Sequence, residues 1–291
     1  MWPFKKTGKN TPPSLEYDEP WRSLDWNKDA ENILTTINKF KPGNNEIRTL
    51  RILLHGPQGA GKSSFLNSVN SALQGRITTK ALAEATATGR SFTLKCTIHK
   101  FKDKADTFYP FTFTDIAGMD SEDASMKPDD IITTLKGHIN DGYTFNPRQP
   151  ITEDDPKYIK NPELKDRIHC LVGIIPADTF SMMHEVIEKM KAVREKARDL
   201  GIPQAVIMTK VDEACPLVKV NLEKIYTSKK IKQKMEELSN SLGVPVSYIY
   251  PVKNYHEERV TNAKLDVLIL DALQNIVNFA SDYVEDQIDH K

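Results

Sequence analysis

Short apolar segments alternate with longer segments of helical period along most of the chain. The apolar runs at Leu50–His55, 168–175 and 205–208 are of strand length, and they are typical of strands buried in a parallel sheet. Apolar residues at helical spacing follow at 62–73, 181–200 and 265–288. Strands that alternate with helices predict an α/β fold.

A different pattern occupies the middle of the chain. Residues 92–98 alternate strictly between apolar and polar, which predicts a strand with one wet face, and a polar turn separates it from a second strand at 110–114. A helix is predicted at 128–136, another runs to about residue 242, and a last strand is expected at 244–250. We therefore expect a six-stranded, mostly parallel sheet with one antiparallel edge strand, enclosed in a three-layer sandwich.

Composition divides the chain into regions. Residues 1–20 are rich in Lys, Pro and Thr and predict a disordered tail, whereas 21–45 predict a short helical segment that docks on the domain. In that segment Trp21 and Trp26 are interpreted as core anchors rather than ligand-binding groups. Residues 46–291 are expected to form one domain, with a proline-containing insertion loop at 137–165.

The charge balance gives no sign of an anionic partner. Lys+Arg and Asp+Glu number 40 each, so nucleic acid is not predicted as the main partner. A basic run at 229–234 is interpreted as a solvated helix face in preference to a patch for an acidic partner or a membrane. Three cysteines, no signal peptide and no run long enough to span a membrane predict buried free thiols in a cytoplasmic protein.

The strongest chemical motif follows the first strand. Residues 56–63 read Gly-Pro-Gln-Gly-Ala-Gly-Lys-Ser, the G-x-x-x-x-G-K-[ST] pattern whose backbone N–H groups surround phosphate oxygens. Lys62 can reach the terminal phosphates, and the Ser63 hydroxyl can ligate Mg²⁺. The residues expected to contact the nucleotide here are Gly56, Gly59, Ala60, Gly61, Lys62, Ser63 and Ser64.

A second motif follows the strand at 110–114. Asp115 can hold Mg²⁺, and the N–H of Gly118 can meet a γ-phosphate, because glycine permits a close approach. Thr88 or Thr86, in the loop before the strand at 92–98, could close over the metal through a hydroxyl and a backbone N–H, and we prefer Thr88.

A third motif distinguishes among nucleotides. Thr209, Lys210 and Asp212 follow the strand at 205–208, and a carboxylate at 212 can accept two hydrogen bonds from guanine that adenine cannot donate. The loop after the last strand, with Val252 and Lys253, could contact the guanine oxygen.

In this order, GxxxxGKS, DxxG and TKxD resemble the Ras-like P-loop GTPases. The chain is also similar to the interferon-induced protein 44 family over most of residues 20–285. That similarity rests on Pro20-Trp21-Arg22, the P-loop, and the segments at 135–137, 143–146, 164–170 and 209–212. The resemblance implies an interferon-inducible, cytoplasmic GTP-binding protein of innate antiviral defence.

The sequence leaves hydrolysis open. Met119 stands where Ras-like enzymes place the glutamine that orients water, whereas Gln58 resembles the P-loop glutamine of dynamin-type proteins or is a solvated loop residue. We assign Lys62, Gln58 and Thr88 as candidate catalytic residues. The two hypotheses are a slow GTPase switch, with a nucleotide-dependent homodimer or a protein effector as partner, and a GTP-binding scaffold without significant hydrolysis.

Overall fold

The computed structural model describes residues 14–27, 29–43, 46–79, 95–120, 126–146 and 148–289. The strands are β1 Leu50–His55, β2 Thr97–Lys102, β3 Phe108–Asp115, β4 Cys170–Pro176, β5 Gln204–Thr209 and β6 Ile249–Pro251. The helices are α1 Asp29–Lys39, α2 Lys62–Gln74, α3 Pro128–Leu135, α4 His184–Asp199, α5 Val211–Ala214, α6 Pro216–Val220, α7 Lys229–Leu242 and α8 Ala263–Asp289. Short 3₁₀ turns lie at Leu164–Asp166, Phe180–Met182, Leu222–Tyr226 and Val246–Tyr248.

The six strands form one sheet in the order β2-β3-β1-β4-β5-β6. β2 pairs with β3 in antiparallel orientation, and every other neighbouring pair is parallel. The expected mostly parallel sheet with one antiparallel edge strand is confirmed. Because β3 and β4 lie on opposite sides of β1, their connections diverge and leave a crevice at the carboxyl end of β1, where ligands bind in such sheets.

Helices cover both faces of the sheet and enclose its core. α1 and α2 pack against the long helix α8, which contacts β1, β4, β5 and β6, while α4 contacts α3, α7 and the central strands. Phe111 and Phe113 of β3 and Phe65 of α2 are fully buried, and the rings of Phe65 and Phe113 meet edge to face at 6.5 Å. Burial of each such ring stabilises the fold by about 1.5–3 kcal/mol.

The N-terminal docking segment differs from the expected helix. Helix α1 begins only at Asp29, because the preceding residues form a turn in which the N–H of Asn27 donates to the Asp25 carboxylate at 3.1 Å. Trp21 and Trp26 lie in irregular backbone and pack on Tyr226, with ring centroids 5.2 and 6.4 Å away. Both tryptophans therefore contribute to packing, as core anchors do.

Residues 14–20 lie against the domain, although the sequence predicts that they belong to a disordered tail. The N–H of Tyr17 donates to the carbonyl of Thr227 at 2.8 Å, and the N–H of Lys229 donates to the carbonyl of Leu15 at 3.1 Å. The ammonium groups of Lys229 and Lys232 lie 5.4 and 4.9 Å from the Tyr17 ring. The basic run at 229–234 is thus partly covered by this segment rather than being a simple solvated face.

Three element boundaries differ from the sequence prediction. The single helix expected up to residue 242 is divided into α5, α6, a 3₁₀ turn and α7, since Pro216 starts one helix and the Ser228 hydroxyl caps another by accepting from the N–H of Ile231 at 3.2 Å. β6 is shorter than the predicted strand because a 3₁₀ turn after Pro245 takes up Val246–Tyr248. β2 begins at Thr97 and continues to Lys102, while 80–94 lie outside the described residues.

The described part of the insertion at 137–165 is packed against the sheet edge. The N–H of Cys96 donates to the carbonyl of Tyr143 at 2.7 Å, and the N–H of Gly142 donates to the carbonyl of Cys96 at 2.9 Å. Ile139, Tyr143 and Phe145 are buried, so the segment covers backbone groups next to the edge strand β2.

The three cysteines Cys96, Cys170 and Cys215 are free and buried, as the sequence predicts. Among the described residues, none of the helices is long and apolar enough to cross a membrane.

Candidate nucleotide site

The glycine-rich turn lies between β1 and α2 and requires glycine at defined positions. Gly56, Gly59 and Gly61 have φ values of 149°, 73° and 94°, in the region that L side chains rarely adopt. A Cβ on Gly56 would lie 2.1 Å from the carbonyl oxygen of Ile174 in the neighbouring strand β4. The turn therefore takes the narrow shape of a P-loop, with its N–H groups at the start of the 13-residue helix α2.

The side chain of Lys62 lies inside this turn. Its ammonium donates to the carbonyl oxygens of Gly56 and Pro57 at 3.1 and 3.0 Å, and the residue is buried. Burial lowers the pKa of Lys62, and the nearby Asp115 carboxylate partly opposes that change. A buried ammonium that faces the turn can attract the phosphates of a nucleotide.

Asp115 is the last residue of β3 and lies beside Ser63 at the start of α2. Its Oδ2 accepts a long hydrogen bond of 3.4 Å from the Ser63 hydroxyl, whereas its buried Oδ1 has no hydrogen-bond partner among the described residues. Burial raises the pKa of Asp115, and Lys62 opposes the rise. An orphaned carboxylate oxygen next to a hydroxyl fits a Mg²⁺ ligand pair, because Mg²⁺ binds few protein oxygens and takes its other ligands from water and phosphates. The described residues contain no group of three or more His, Cys, Asp or Glu arranged to hold a metal.

Gly118 brings its segment against the P-loop backbone. The N–H of Gln58 donates to the carbonyl of Met119 at 3.0 Å, and the N–H of Met119 donates to the carbonyl of Gly56 at the same distance. A Cβ on Gly118 would lie 2.7 Å from the Cα of Gln58. Glycine is thus required here for contact with the P-loop, a reason that the sequence analysis did not include. The side chain of Met119 is 1% exposed and lies in the core.

The loop after β5 is hydrogen-bonded to the P-loop. The buried Thr209 hydroxyl donates to the carbonyl of Ala60 at 2.6 Å. Lys210 has a φ of 56°, which is uncommon for a residue with a side chain, and the turn places Asp212 in the first turn of α5, where it is half-buried. This geometry holds the Thr-Lys-x-Asp segment next to the phosphate loop.

The loop after β6 lies beside the end of β5. The N–H of Val252 donates to the carbonyl of Met208 at 2.8 Å, and the Lys253 ammonium pairs with Glu258 at 2.7 Å. The sequence predicts Asn254 only as part of this loop, and in the structure its side-chain amide donates to the carbonyl of Gly61 at 3.3 Å.

A residue missed by sequence reasoning is His55, at the end of β1. It is buried beneath the P-loop, and burial together with the Lys62 charge lowers its pKa to about 3. His55 is therefore a neutral ring below the phosphate loop. Of the other candidates, Ser64 lies in the first turn of α2, whereas Thr88 and Thr86 lie outside the described residues.

The six-stranded, mostly parallel sheet and the glycine-rich turn define an α/β protein with a P-loop. No known family profile matches the chain. It is 35% identical to human (Homo sapiens) interferon-induced protein 44 over 258 residues, which is 88% of this chain and 58% of that protein. Mouse (Mus musculus) interferon-induced protein 44 is 36% identical over 88% of the chain and 60% of its own length, and human interferon-induced protein 44-like is 33% identical over 92% and 60%. The chain belongs to the interferon-induced protein 44 family, and it spans about 60% of the length of these relatives.

A solved structure, that of the probable GTP-binding protein EngB, covers 80% of this chain and 98% of its own with a TM-score of 0.43 and 14% sequence identity.

Proposed function

We propose that this chain binds GTP and GDP together with Mg²⁺ and hydrolyses GTP slowly, acting as a nucleotide-dependent switch in the interferon-induced, innate antiviral response in the cytoplasm. The observation that carries the proposal is the convergence of Lys62, Ser63 and Asp115 on one glycine-lined turn. The names of the related proteins support the interferon-induced context.

The backbone and Lys62 bind the phosphates. The N–H groups of the turn 56–63 and the N-terminus of α2 carry positive partial charge. The Lys62 ammonium, held inside the turn by its hydrogen bonds, adds a positive charge next to the phosphates. Ser63 and Asp115 would hold Mg²⁺, with Thr88 as the further candidate, and the ion would neutralise charge on the terminal phosphates. Since Lys62 and Asp115 are both buried, water screens these charges only weakly.

Asp212 and Lys210 select the base in this proposal. The half-buried Asp212 carboxylate accepts two hydrogen bonds from guanine, and the Lys210 stem covers the ring, while Val252 and Lys253 approach the guanine oxygen. Thr209 supports the arrangement because its hydroxyl ties the base loop to the phosphate loop at Ala60. Base and phosphate sites therefore keep a fixed separation.

Turnover by the isolated chain is slow in this proposal because Met119 is buried and has no group that can orient water. Gln58, Met119 and His184 line a cavity of about 520 Å³ beside the P-loop. A second subunit or a protein effector could insert a missing catalytic group there. The same buried Met119 favours the second candidate function, a GTP-binding scaffold that does not hydrolyse its nucleotide.

Two measurements test the proposal. Purified protein is expected to retain guanine nucleotide, which can be identified by chromatography after denaturation, and the Lys62→Ala variant serves as the control. Single-turnover GTP hydrolysis is then measured against protein concentration. A slow rate that rises with concentration supports a switch completed by a partner; no hydrolysis at any concentration favours the scaffold. Retention of adenine nucleotide instead would contradict the base assignment.

The switch itself can be examined by hydrogen exchange. Among the phosphates of the nucleotide, the γ-phosphate is the one expected to meet the N–H of Gly118, so amide protection at 116–120 is expected to be higher with a non-hydrolysable GTP analogue than with GDP. Equal protection in the two states would contradict the switch and leave a static binding module.

A further inference from the structure

A groove lies at the end of the sheet opposite the candidate nucleotide site. It has a volume of about 460 Å³ and is lined by residues at the start of β5, by the loop before β6 and by helices α4 and α8. The candidate site is at the carboxyl ends of the strands, and β5 has six residues. At roughly 3.3 Å per residue, the groove and the site are separated by about 20 Å.

The floor of the groove is apolar and aromatic. Ile202 and Val244 are buried beneath it, and the ring of Tyr248, 40% exposed, meets Phe279 edge to face with centroids 5.3 Å apart. An exposed tyrosine beside a partly buried phenylalanine offers a large contact area at a low cost in side-chain entropy, which is typical of the centre of a protein–protein interface.

The two walls of the groove carry opposite charges. Arg194 and Arg198 lie one turn apart on α4, and Asp282 and Asp286 lie one turn apart on α8. Because α4 and α8 belong to different helical layers, the sheet end carries a basic row and an acidic row with the apolar floor between them.

Neither aspartate has an ion-pair partner within the described part of the chain, and both are exposed. The Arg198 guanidinium pairs with the adjacent Asp199 at 3.2 Å, and Arg194 donates to the carbonyl of Gly243. The two rows therefore remain available to charges on another molecule.

We propose that this groove is a dimer interface occupied by a second copy of the chain. A two-fold axis at the sheet end would place the arginine row of one copy opposite the aspartate row of the other, and the same pairing would recur on the other side of the axis. The two rows carry equal and opposite formal charge, so the face is complementary to itself. Such a dimer leaves both candidate nucleotide sites pointing outward, and it forms equally with GDP and with a GTP analogue.

The test uses two charge-reversed variants of the full chain, Arg194→Glu/Arg198→Glu and Asp282→Arg/Asp286→Arg. Molecular mass is measured by light scattering and sedimentation over a range of protein concentrations. The parent chain is expected to be dimeric, and in each variant alone the dimer dissociation constant is expected to rise about tenfold or more, because like charges face each other. A mixture of the two variants is expected to restore the dimer, since every facing pair is then of opposite sign.

Lys196→Glu is the matched control, because Lys196 is an exposed residue of the same helix that does not line the groove. It should dimerise as the parent does, and far-ultraviolet circular dichroism with nucleotide binding shows that each variant is folded. A parent chain that stays monomeric at every concentration would assign the groove to a different occupant and overturn the proposal. A dimer that persists in both variants, or a mixture that stays monomeric, would overturn it as well.

Discussion

The close approach of Gly118 to the P-loop gives the most specific prediction. In a Gly118→Ala variant the new Cβ would lie 2.7 Å from the Cα and 2.8 Å from the N of Gln58, both of them backbone atoms. Ordinary contact begins near 3.4 Å, so the two segments must separate by about 0.7 Å. No side-chain rotation can relieve this overlap.

The energetic cost has two sources. Overpacking costs about 1–3 kcal/mol, and stretching the two hydrogen bonds of 3.0 Å between Met119 and the P-loop costs about 1 kcal/mol for each bond that is lost. With one or both bonds lost, we expect a total loss of about 2–5 kcal/mol, divided between folding stability and nucleotide binding. If binding bears the lower figure, affinity for GTP falls roughly 30-fold.

Urea unfolding and isothermal titration with GTP and GDP would measure the two parts. Gly173→Ala is the control: Gly173 lies in the buried strand β4, but its Cβ would meet the flexible end of Met190 at 3.3 Å. It is expected to cost less than about 1 kcal/mol. If Gly118→Ala changes the unfolding free energy by less than about 0.5 kcal/mol and the nucleotide affinity by less than about twofold, the close contact does not shape the site.

Three further predictions concern charge. Lys62→Ala should abolish nucleotide retention, measured by chromatography, and unchanged GTP affinity would contradict the phosphate site. Asp212→Asn should shift preference from GTP toward XTP in competition binding, and an unaltered preference would place the base site elsewhere. Burial lowers the pKa of His169 to about 4, so the unfolded chain binds more protons and stability falls with acidification below pH 6.5. Between pH 7 and 5 the unfolding free energy should fall by about 2 kcal/mol more in the parent than in His169→Gln; equal slopes would refute this.

The sequence by itself determined the class of fold and the position of the phosphate loop. Apolar runs of strand length and apolar residues at helical spacing are local patterns, and they predicted four strands near their observed places, namely β1, β3, β4 and β5. The P-loop could be identified from the sequence because its backbone needs positive φ values, which favour glycine, as at Gly56 and Gly61.

Element boundaries depended on contacts distant in the sequence. Residues 14–20 read as a polar tail, yet they lie against the domain because Tyr17 and Leu15 exchange backbone hydrogen bonds with residues more than 200 positions later. The short β6 and the late start of α1 likewise reflect a 3₁₀ turn and an Asp25 turn that no hydrophobic period signals.

The tertiary structure alone decided what surrounds each candidate residue. Only the folded chain shows that Asp115 has a buried oxygen without a hydrogen-bond partner among the described residues, that Gly118 contacts Gln58, and that Asn254 joins the site. The opposed charge rows on α4 and α8 likewise meet only because the sheet brings together residues about 90 positions apart. A sequence pattern records which groups are present, whereas their distances and exposure to water arise from packing across the whole fold.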